Sequence, residues 1–402
     1  MTRDVAITGI GLVSALGEGE AQHFAALSEG GVHEAWVDNE KIAPFPIHPI
    51  RTIDLSRTIP KKGDQRAMGP FMHYGVHAAG LALEDAKIAG NPELLARTHL
   101  IAGCGGGERD VEVDEKVMLG LPTASDPGAF INDVVQTDLR PTLFLAQLPN
   151  LFAGNISIVH GVTGSSRTFM GEEMAGVDAV RVAYERIAAD QGDLFLVGSA
   201  YNADRTDILT LYAAAGLLAR SPLPPLWSRG RAGLAFGSMG AFLVLEACEH
   251  AAARGATPIA KLSAVLSEQS DRSPGAATDA ALVQWDAVRA QLAPGPVGVL
   301  SGASGVDPAT SEEHAFLQSL EHPNAVRGTG AALGHGMEAA FIANLALAAA
   351  CARRKRLFPP LNAGEALEQP LDGEVSQIVV TGWGHHRGEA TALVEHWDEG
   401  QA

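Results

Sequence analysis

The chain is poor in cysteine, poor in positive charge and free of long apolar runs. Three cysteines occur in 402 residues, Cys104, Cys248 and Cys351, far apart and odd in number. That pattern makes neither a disulfide framework nor a zinc motif, and it suits a reducing compartment. Lysine and arginine total 29 against 47 aspartates and glutamates, a net charge of −18. Nucleic acid is thereby disfavoured as a partner, and any acidic partner must find a local basic patch. No run of about 18 apolar residues appears, so no membrane span is expected. The first residues lead straight into a strand pattern at Val5. This leaves no room for a signal peptide and places the expected protein in the cytoplasm. The glycines at Gly103, Gly105, Gly106 and Gly107 lack a following Gly-Lys-Ser/Thr and the dinucleotide spacing. No nucleotide cofactor is expected there.

What the chain does have is core. Apolar residues make up 46%, with 45 glycines to turn them. The stretch Asn150–Val180 organises the rest. It reads as a turn punctuated by Gly154, Gly161 and Gly164, then a short β-type segment Arg167–Met170, then a helix opening at Glu172 and Glu173. Met174, Val177, Val180, Tyr184 and Ile187 recur three or four residues apart, as a one-sided helix requires. A helix N-terminus offers free N–H groups and a favourable dipole to a negative charge. Many nucleophiles sit at such a junction, and here the residue is a carboxylate.

Strand patterns recur at Val5–Val13, Leu100–Cys104, Leu194–Val197, Ile259–Leu266, Val297–Leu300 and Ile378–Thr381, with paired strands over Ala235–Glu246. Helical patterns fall at Gln22–Leu27, Phe71–Ala86, Asp207–Leu218, Ala247–Gly255, Asp279–Leu292, Thr310–Leu320 and Gly334–Ala352. Residues 108–150 read as an irregular excursion with short helices. Ile378–Gly384 echoes Val5–Gly11, which points to two α/β halves and an internal duplication.

Several segments resemble one family in order. VAITGIGLVSAL from Val5 is similar to a V-V-I-T-G-x-G-x-V-S-P-L-G opening, and PKKGDQRAMGPFMHY from Pro60 to R-K-E-Q-R-K-M-D-x-F. Asn150–Gly176 matches without a gap a stretch running from N-x-x-A-G to A-C-x-S-G. Arg231–Glu246 resembles R-D-G-F-V-x-G-E-G-A-G-V-L-V-L-E, the segment from Glu249 resembles E-H-A-x-x-R-G-A, and GHGMEAA from Gly334 resembles G-H-x-x-G-A-A-G. The chain therefore resembles the type II β-ketoacyl-acyl carrier protein synthases. The resemblance implies an α/β, thiolase-like, duplicated five-layer α-β-α-β-α architecture, with halves 1–250 and 251–402 intertwined in one unit. It implies no cofactor and no metal.

The same resemblance assigns positions. The family's nucleophilic cysteine falls on Glu173, its first histidine on Ser301, its second on His335, its lysine on Gly330 and the glutamate of G-E-G on Ser238. A carboxylate is a far weaker nucleophile toward a thioester than a thiolate. Losing the first histidine removes a donor for the developing enolate. The implied role is a non-condensing subunit similar in kind to chain-length factors, and to synthase paralogues linked to very-long-chain fatty acids of rhizobial lipid A. Its partners would be an acyl carrier protein and a cysteine-bearing paralogue, or a second copy of itself. The competing expectation is a malonyl-carrier decarboxylase or acyl-thioester hydrolase using Glu173 and His335. Glu173 reads foremost as a structural anion at a helix start, otherwise as a group shaping an acyl tunnel or doing acid–base chemistry, and His335 as a relic or as a catalytic residue. Lys61, Lys62 and Arg66 read as a solvated helix start or as the carrier-docking patch. The basic run Arg353–Arg356 is a weaker alternative for that contact. Trp383, His385 and His386 fall on the family's final glycine loop, read as a gate. No second ligand cluster supports a metal at the two histidines.

Overall fold

The computed structural model describes residues 3–141, 147–271, 273–320, 324–362, 364–386 and 388–398. Five strands build a first sheet: β1 (Val5–Ser14), β3 (His99–Cys104), β4 (Ser166–Met170), β5 (Leu194–Tyr201) and β6 (Met239–Ala247), with the short β2 (Gly17–Glu18) folded back on β1. Five more build a second: β7 (Ala260–Glu268), β8 (Val297–Ser301), β9 (Asn324–Gly328), β10 (Gln377–Trp383) and β11 (Glu389–His396). The spatial orders are β4-β3-β5-β6-β1 and β9-β8-β10-β11-β7. Each half thus runs third, second, fourth, fifth, first. In each, the second strand is parallel to the third and fourth, and the fifth is antiparallel to its two neighbours. The two first strands meet, Val5, Ala6 and Ile7 pairing antiparallel with Leu262, Lys261 and Ala260, so the hydrogen-bonded ladder is continuous through both sheets.

Six helices complete the layers: α1 (Pro70–Asp85), α2 (Pro149–His160), α3 (Glu173–Ala188), α4 (Ala276–Arg289), α5 (Ala309–Ser319) and α6 (Ala340–Arg354). Helices α1 and α2 cover the outer face of the first sheet through Met72, Val76, Ala79, Phe152 and Ile156. Helices α4 and α5 cover the outer face of the second through Trp285, Val288, Phe316 and Leu317. Between the sheets lie α3 and α6, whose Val177, Val180, Ile342 and Leu345 join one continuous core. Twelve residues of α6, from Phe341 to Ala352, are buried, as expected of a helix that is apolar all round. All ten residues of β1 are buried, so its sequence reads as an unbroken apolar run instead of an alternation. The five-layer expectation holds.

Local departures have physical causes. The expected turn at Asn150–Gly164 is helix α2 up to His160. Pro149 starts it, Gly154 lies inside it, and Gly161 ends it at φ 75°. The expected pair of strands over Ala235–Glu246 is one strand, β6. Before it, Phe236 and Gly237 make only isolated bridges, to His335 and His48. The helix expected over Gly334–Ala352 begins at Ala340, because Gly334 (φ 69°) and Met337 (φ 44°) adopt left-handed backbone. The short helices expected within residues 108–150 are present as Val111–Gly120 and Pro127–Thr137. Strands β9 and β11 have no counterpart in the sequence expectations. The echo between Val5–Gly11 and Ile378–Gly384 joins a first strand to a fourth, so the duplication lies in the topology and not in that echo.

The layers touch closely where α3 meets the turn before α6. A Cβ on Gly176 would stand 1.8 Å from the backbone oxygen of Glu338, whereas one on Gly105 would meet only the carboxyl tip of Glu338, at 2.4 Å. Gly176→Ala is expected to lower stability by about 1–3 kcal/mol or more, and Gly105→Ala by clearly less. Urea midpoints of the two variants check this. Equal midpoints would contradict the close approach.

Candidate functional site

Strand β4 ends at Met170, and Gly171 (φ 151°) swings the chain into α3. Glu173 is the first residue of that helix and is buried. Two segments from the second half close on it. The His385 backbone N–H, just after β10, donates to Glu173 Oε1 at 2.8 Å, and His335 Nε2 lies 3.2 Å from the same oxygen. Oε2 is buried without a partner. Burial favours the neutral acid, but the His335 hydrogen bond and charge, with the backbone N–H groups of Glu173 and His385, outweigh it. They hold the carboxyl down at about 2. Glu173 is therefore an anion across the whole neutral range, and His335 Nε2 must carry the proton between them.

His335 is aimed by its backbone. Its N–H donates to the Ala235 carbonyl at 2.8 Å, and its carbonyl accepts from the Gly237 N–H at 3.0 Å. The first half thus fixes an imidazole that belongs to the second. His335 sits in a short extended segment and not at the start of a helix, as the sequence had suggested.

Ser301 is placed differently. It ends β8, and its hydroxyl donates to Glu313 Oε1 at 2.8 Å while accepting from the Ala303 N–H at 3.1 Å. Thr381 donates to the same Glu313 oxygen at 2.5 Å. Burial pushes the Glu313 carboxyl up to about 7 against those two bonds. The hydroxyl of Ser301 is committed to Glu313, and no bond joins it to Glu173. At Gly330 a Cβ would stand 2.7 Å from the Ala303 carbonyl, so no longer side chain fits without moving the backbone.

The final glycine loop divides. Trp383 is the last residue of β10, buried and stacked near Phe316 with ring centroids 5.5 Å apart, so it belongs to the outer core of the second half. His385 supplies the N–H to Glu173. His386 meets the Tyr212 hydroxyl at 2.6 Å. Arg387, in the same loop, lies outside the described residues.

Space surrounds this centre. A cavity of about 540 Å³ is lined by Met170, Tyr201, Arg205, Tyr212, Met337 and Glu338, among others. A second, of about 250 Å³, runs past Glu172, Glu173 and Asp178, and His386 lines both. Only about 20 Å³ is open directly beside the Glu173–His335 pair. The sequence reading missed Glu338, Tyr201, Arg205 and Tyr212. For Glu338 a signal existed: it is a charged residue at the head of an alanine-rich apolar segment.

Lys61, Lys62 and Arg66 stand exposed on the short helix Lys62–Ala67 and its cap, and none has an ion-pair partner among the described residues. The other basic run is occupied, since Arg353 and Arg354 both pair with Glu20. Among the described residues no group of three histidines, cysteines or carboxylates could hold a metal. No described helix is long and apolar enough to cross a membrane.

Residues 2–251 match the family described as Beta-ketoacyl synthase, N-terminal domain. The 3-oxoacyl-(acyl-carrier-protein) synthase 2 of Vibrio harveyi is 26% identical over 336 residues, 77% of this chain and 78% of that protein. Matches to further synthases of that name span about three fifths of their length. A β-ketoacyl synthase from Burkholderia phymatum superposes with a TM-score of 0.80 at 23% identity, covering 99% of this chain and 100% of that one. The ishigamide ketosynthase/chain length factor also gives 0.80, at 18% identity with the same coverage, and these two likenesses show a shared fold. The chain belongs to the β-ketoacyl synthase family.

Proposed function

We propose that this chain is a ketosynthase-like subunit of fatty acid or polyketide chain elongation that does not itself condense, and that it serves as a partner or chain-length subunit of an active synthase. One observation carries the reading. Glu173, at the position where the similar motif A-C-x-S-G has its cysteine, is a buried anion locked by His335 and the His385 N–H. A carboxylate so held is not a thiolate, and it already occupies an N–H group of the kind that stabilises an oxyanion in acyl transfer. Ser301, proposed to stand for the first histidine, is bound to Glu313, and Gly330, proposed to stand for the lysine, offers no ammonium.

The partners follow from chemistry. Lys61, Lys62 and Arg66 give an otherwise acidic protein an unpaired basic patch fitted to an acidic carrier protein, the substrate class in the name of the Vibrio harveyi relative. Strand β4 is a sheet edge with Met170 68% exposed, and Ile158 on adjoining α2 is 73% exposed. An open edge with apolar neighbours is suited to pairing with a cysteine-bearing paralogue or a second copy. In this reading 1–250 and 251–402 are two halves of one intertwined unit working in the cytoplasm, and Glu173, His335 and Ser301 are remnants of a condensing site. His385 and His386, with Trp383 beneath them, form the loop that closes over it.

The purified protein, given malonyl-carrier and acyl-carrier substrates, is expected to release no carbon dioxide and to carry no covalently attached acyl group. Mixed with a cysteine-bearing synthase it is expected to co-purify and to change product length. Carbon dioxide release or acyl loss that disappears in Glu173→Gln would instead establish the decarboxylase or hydrolase reading. Reversal of Lys61, Lys62 and Arg66 to Glu is expected to weaken carrier binding at low salt roughly tenfold or more. Unchanged binding would remove the patch from consideration.

The Glu173–His335 contact makes a pH prediction. The Glu173 carboxyl falls from an ordinary 4.5 to about 2 in the folded state. A depressed carboxyl adds stability that is complete above its unfolded value and is lost as pH drops toward the folded one. The stability advantage of wild type over Glu173→Gln, measured by urea unfolding, is expected to shrink from about pH 5 to about pH 2. A difference that instead vanished near neutrality would mean that Glu173 titrates as a working acid.

A further inference from the structure

The large cavity contains a carboxyl group that the proposed role leaves without a task. Glu338 rides on the single turn Met337–Ala339. Its backbone oxygen presses on Gly176 of α3, and its carboxyl lies against the bare Cα of Gly105, beyond the end of β3. The residue is 4% exposed and lines the 540 Å³ cavity. Apart from its own N–H, its carboxyl has no hydrogen-bond partner among the described residues. Its oxygens are not among the fully enclosed unpartnered atoms, so they face the cavity and a polar group that enters it can bond them.

The surroundings decide what could. Burial, then the negative charges of Glu173 and Glu172, push the Glu338 carboxyl up to about 8, so at neutral pH it is protonated and can both donate and accept. The Tyr201 and Tyr212 phenols facing the same space are also pushed up by burial and stay neutral. Arg205 is already taken by Asp207 and by the Gly106 and Gly107 carbonyls. Met170, Ile208, Leu211 and Met337 supply apolar wall. An anionic group would meet the field of Glu172 and Glu173, and an ammonium would have to expel the Glu338 proton. A neutral hydroxyl satisfies a protonated carboxyl in both directions.

We propose that this cavity holds an acyl chain bearing a hydroxyl group and that Glu338 selects for that hydroxyl. The inference rests on the reading of the chain as an acyl-handling ketosynthase-like protein. In the similar motif G-H-x-x-G-A-A-G a glycine stands where this chain has Glu338, so the carboxyl is a feature of this chain set on a shared frame.

The test uses the full-length protein and calorimetry with medium-chain acyl thioesters of N-acetylcysteamine. One is unsubstituted, a series carries a single hydroxyl walked along the chain, and one ends in an amine. At least one hydroxylated chain is expected to bind about tenfold more tightly than the unsubstituted one. The preference is expected to survive in Glu338→Gln, which keeps a neutral donor and acceptor, and to disappear in Glu338→Ala and in Glu338→Gly. The glycine variant restores the motif residue and gives a second folded reference. Equal binding of all chains to wild type, a preference that persists in both truncated variants, or tightest binding of the amine would overturn the assignment. If no thioester binds, the acyl-handling reading falls as well; if the unsubstituted chain binds without any hydroxyl preference, only the role of Glu338 falls.

Discussion

A buried carboxylate held by one imidazole, the His385 backbone N–H and its own N–H is the contact on which the arrangement of the two halves converges. Glu173 comes from the first half, at the start of α3, while His335 and His385 come from the second. His335 is in turn fixed by the Ala235 and Gly237 backbone of the first half. An unpaired charge in such a place would cost several kcal/mol. The pairing therefore constrains the register of three segments that are distant in sequence. It also explains why the helix expected from Gly334 cannot start there. The extended bridge between Phe236 and His335, with left-handed backbone at Gly334 and Met337, is what points the imidazole at α3.

Buried carboxylates near the centre have been driven in opposite directions by their surroundings. Glu173 has a cation-capable partner and N–H donors, and is held down at about 2. Glu338 has desolvation and two negative neighbours, and is pushed up to about 8. The two effects are linked, because the fixed anion at Glu173 is one reason the proton stays on Glu338. Glu313 shows the intermediate case. Donors from Ser301 and Thr381 partly offset its burial, which leaves it at about 7. One acidic chain thus presents a permanent anion and a neutral hydrogen-bonding acid within the same set of cavities, by environment alone.

The frame was largely legible in the sequence and the wiring of the site was not. Apolar runs such as Val5–Ser14 announce strands because both faces of each sheet are covered, and the heptad-like spacing from Met174 to Ile187 announces α3. Strand β11 escaped because Glu389 and Glu395 disguise an element that is buried over most of its length. Strand β9 escaped because its charged Arg327 is buried against the Phe358, Val326 and Gln369 carbonyls. The bond from Ser301 to Glu313 needs a strand, a turn and a helix to bring residues twelve apart together. Nothing in local pattern encodes that. Glu338 stood in plain view within a recognisable motif, yet only the cavity gives its carboxyl a meaning.

On the proposed reading, the replacements at the condensing positions support one another physically. Removing a thiol while keeping the donors around it would leave N–H groups facing empty space, and a buried unpaired donor is costly. A glutamate carboxylate, whose oxygens lie two bonds further out than a cysteine sulfur, reaches those donors and satisfies the His385 N–H and His335 together. Serine at position 301 turns onto Glu313, sharing its Oε1 with Thr381. Glycine at 330 allows the chain to close against the Ala303 carbonyl. Each change fills or seals what the condensing chemistry would have left open. On that same proposed reading the fold keeps a nucleophile's setting without its reactivity, beside the neighbouring cavity in which Glu338 lies.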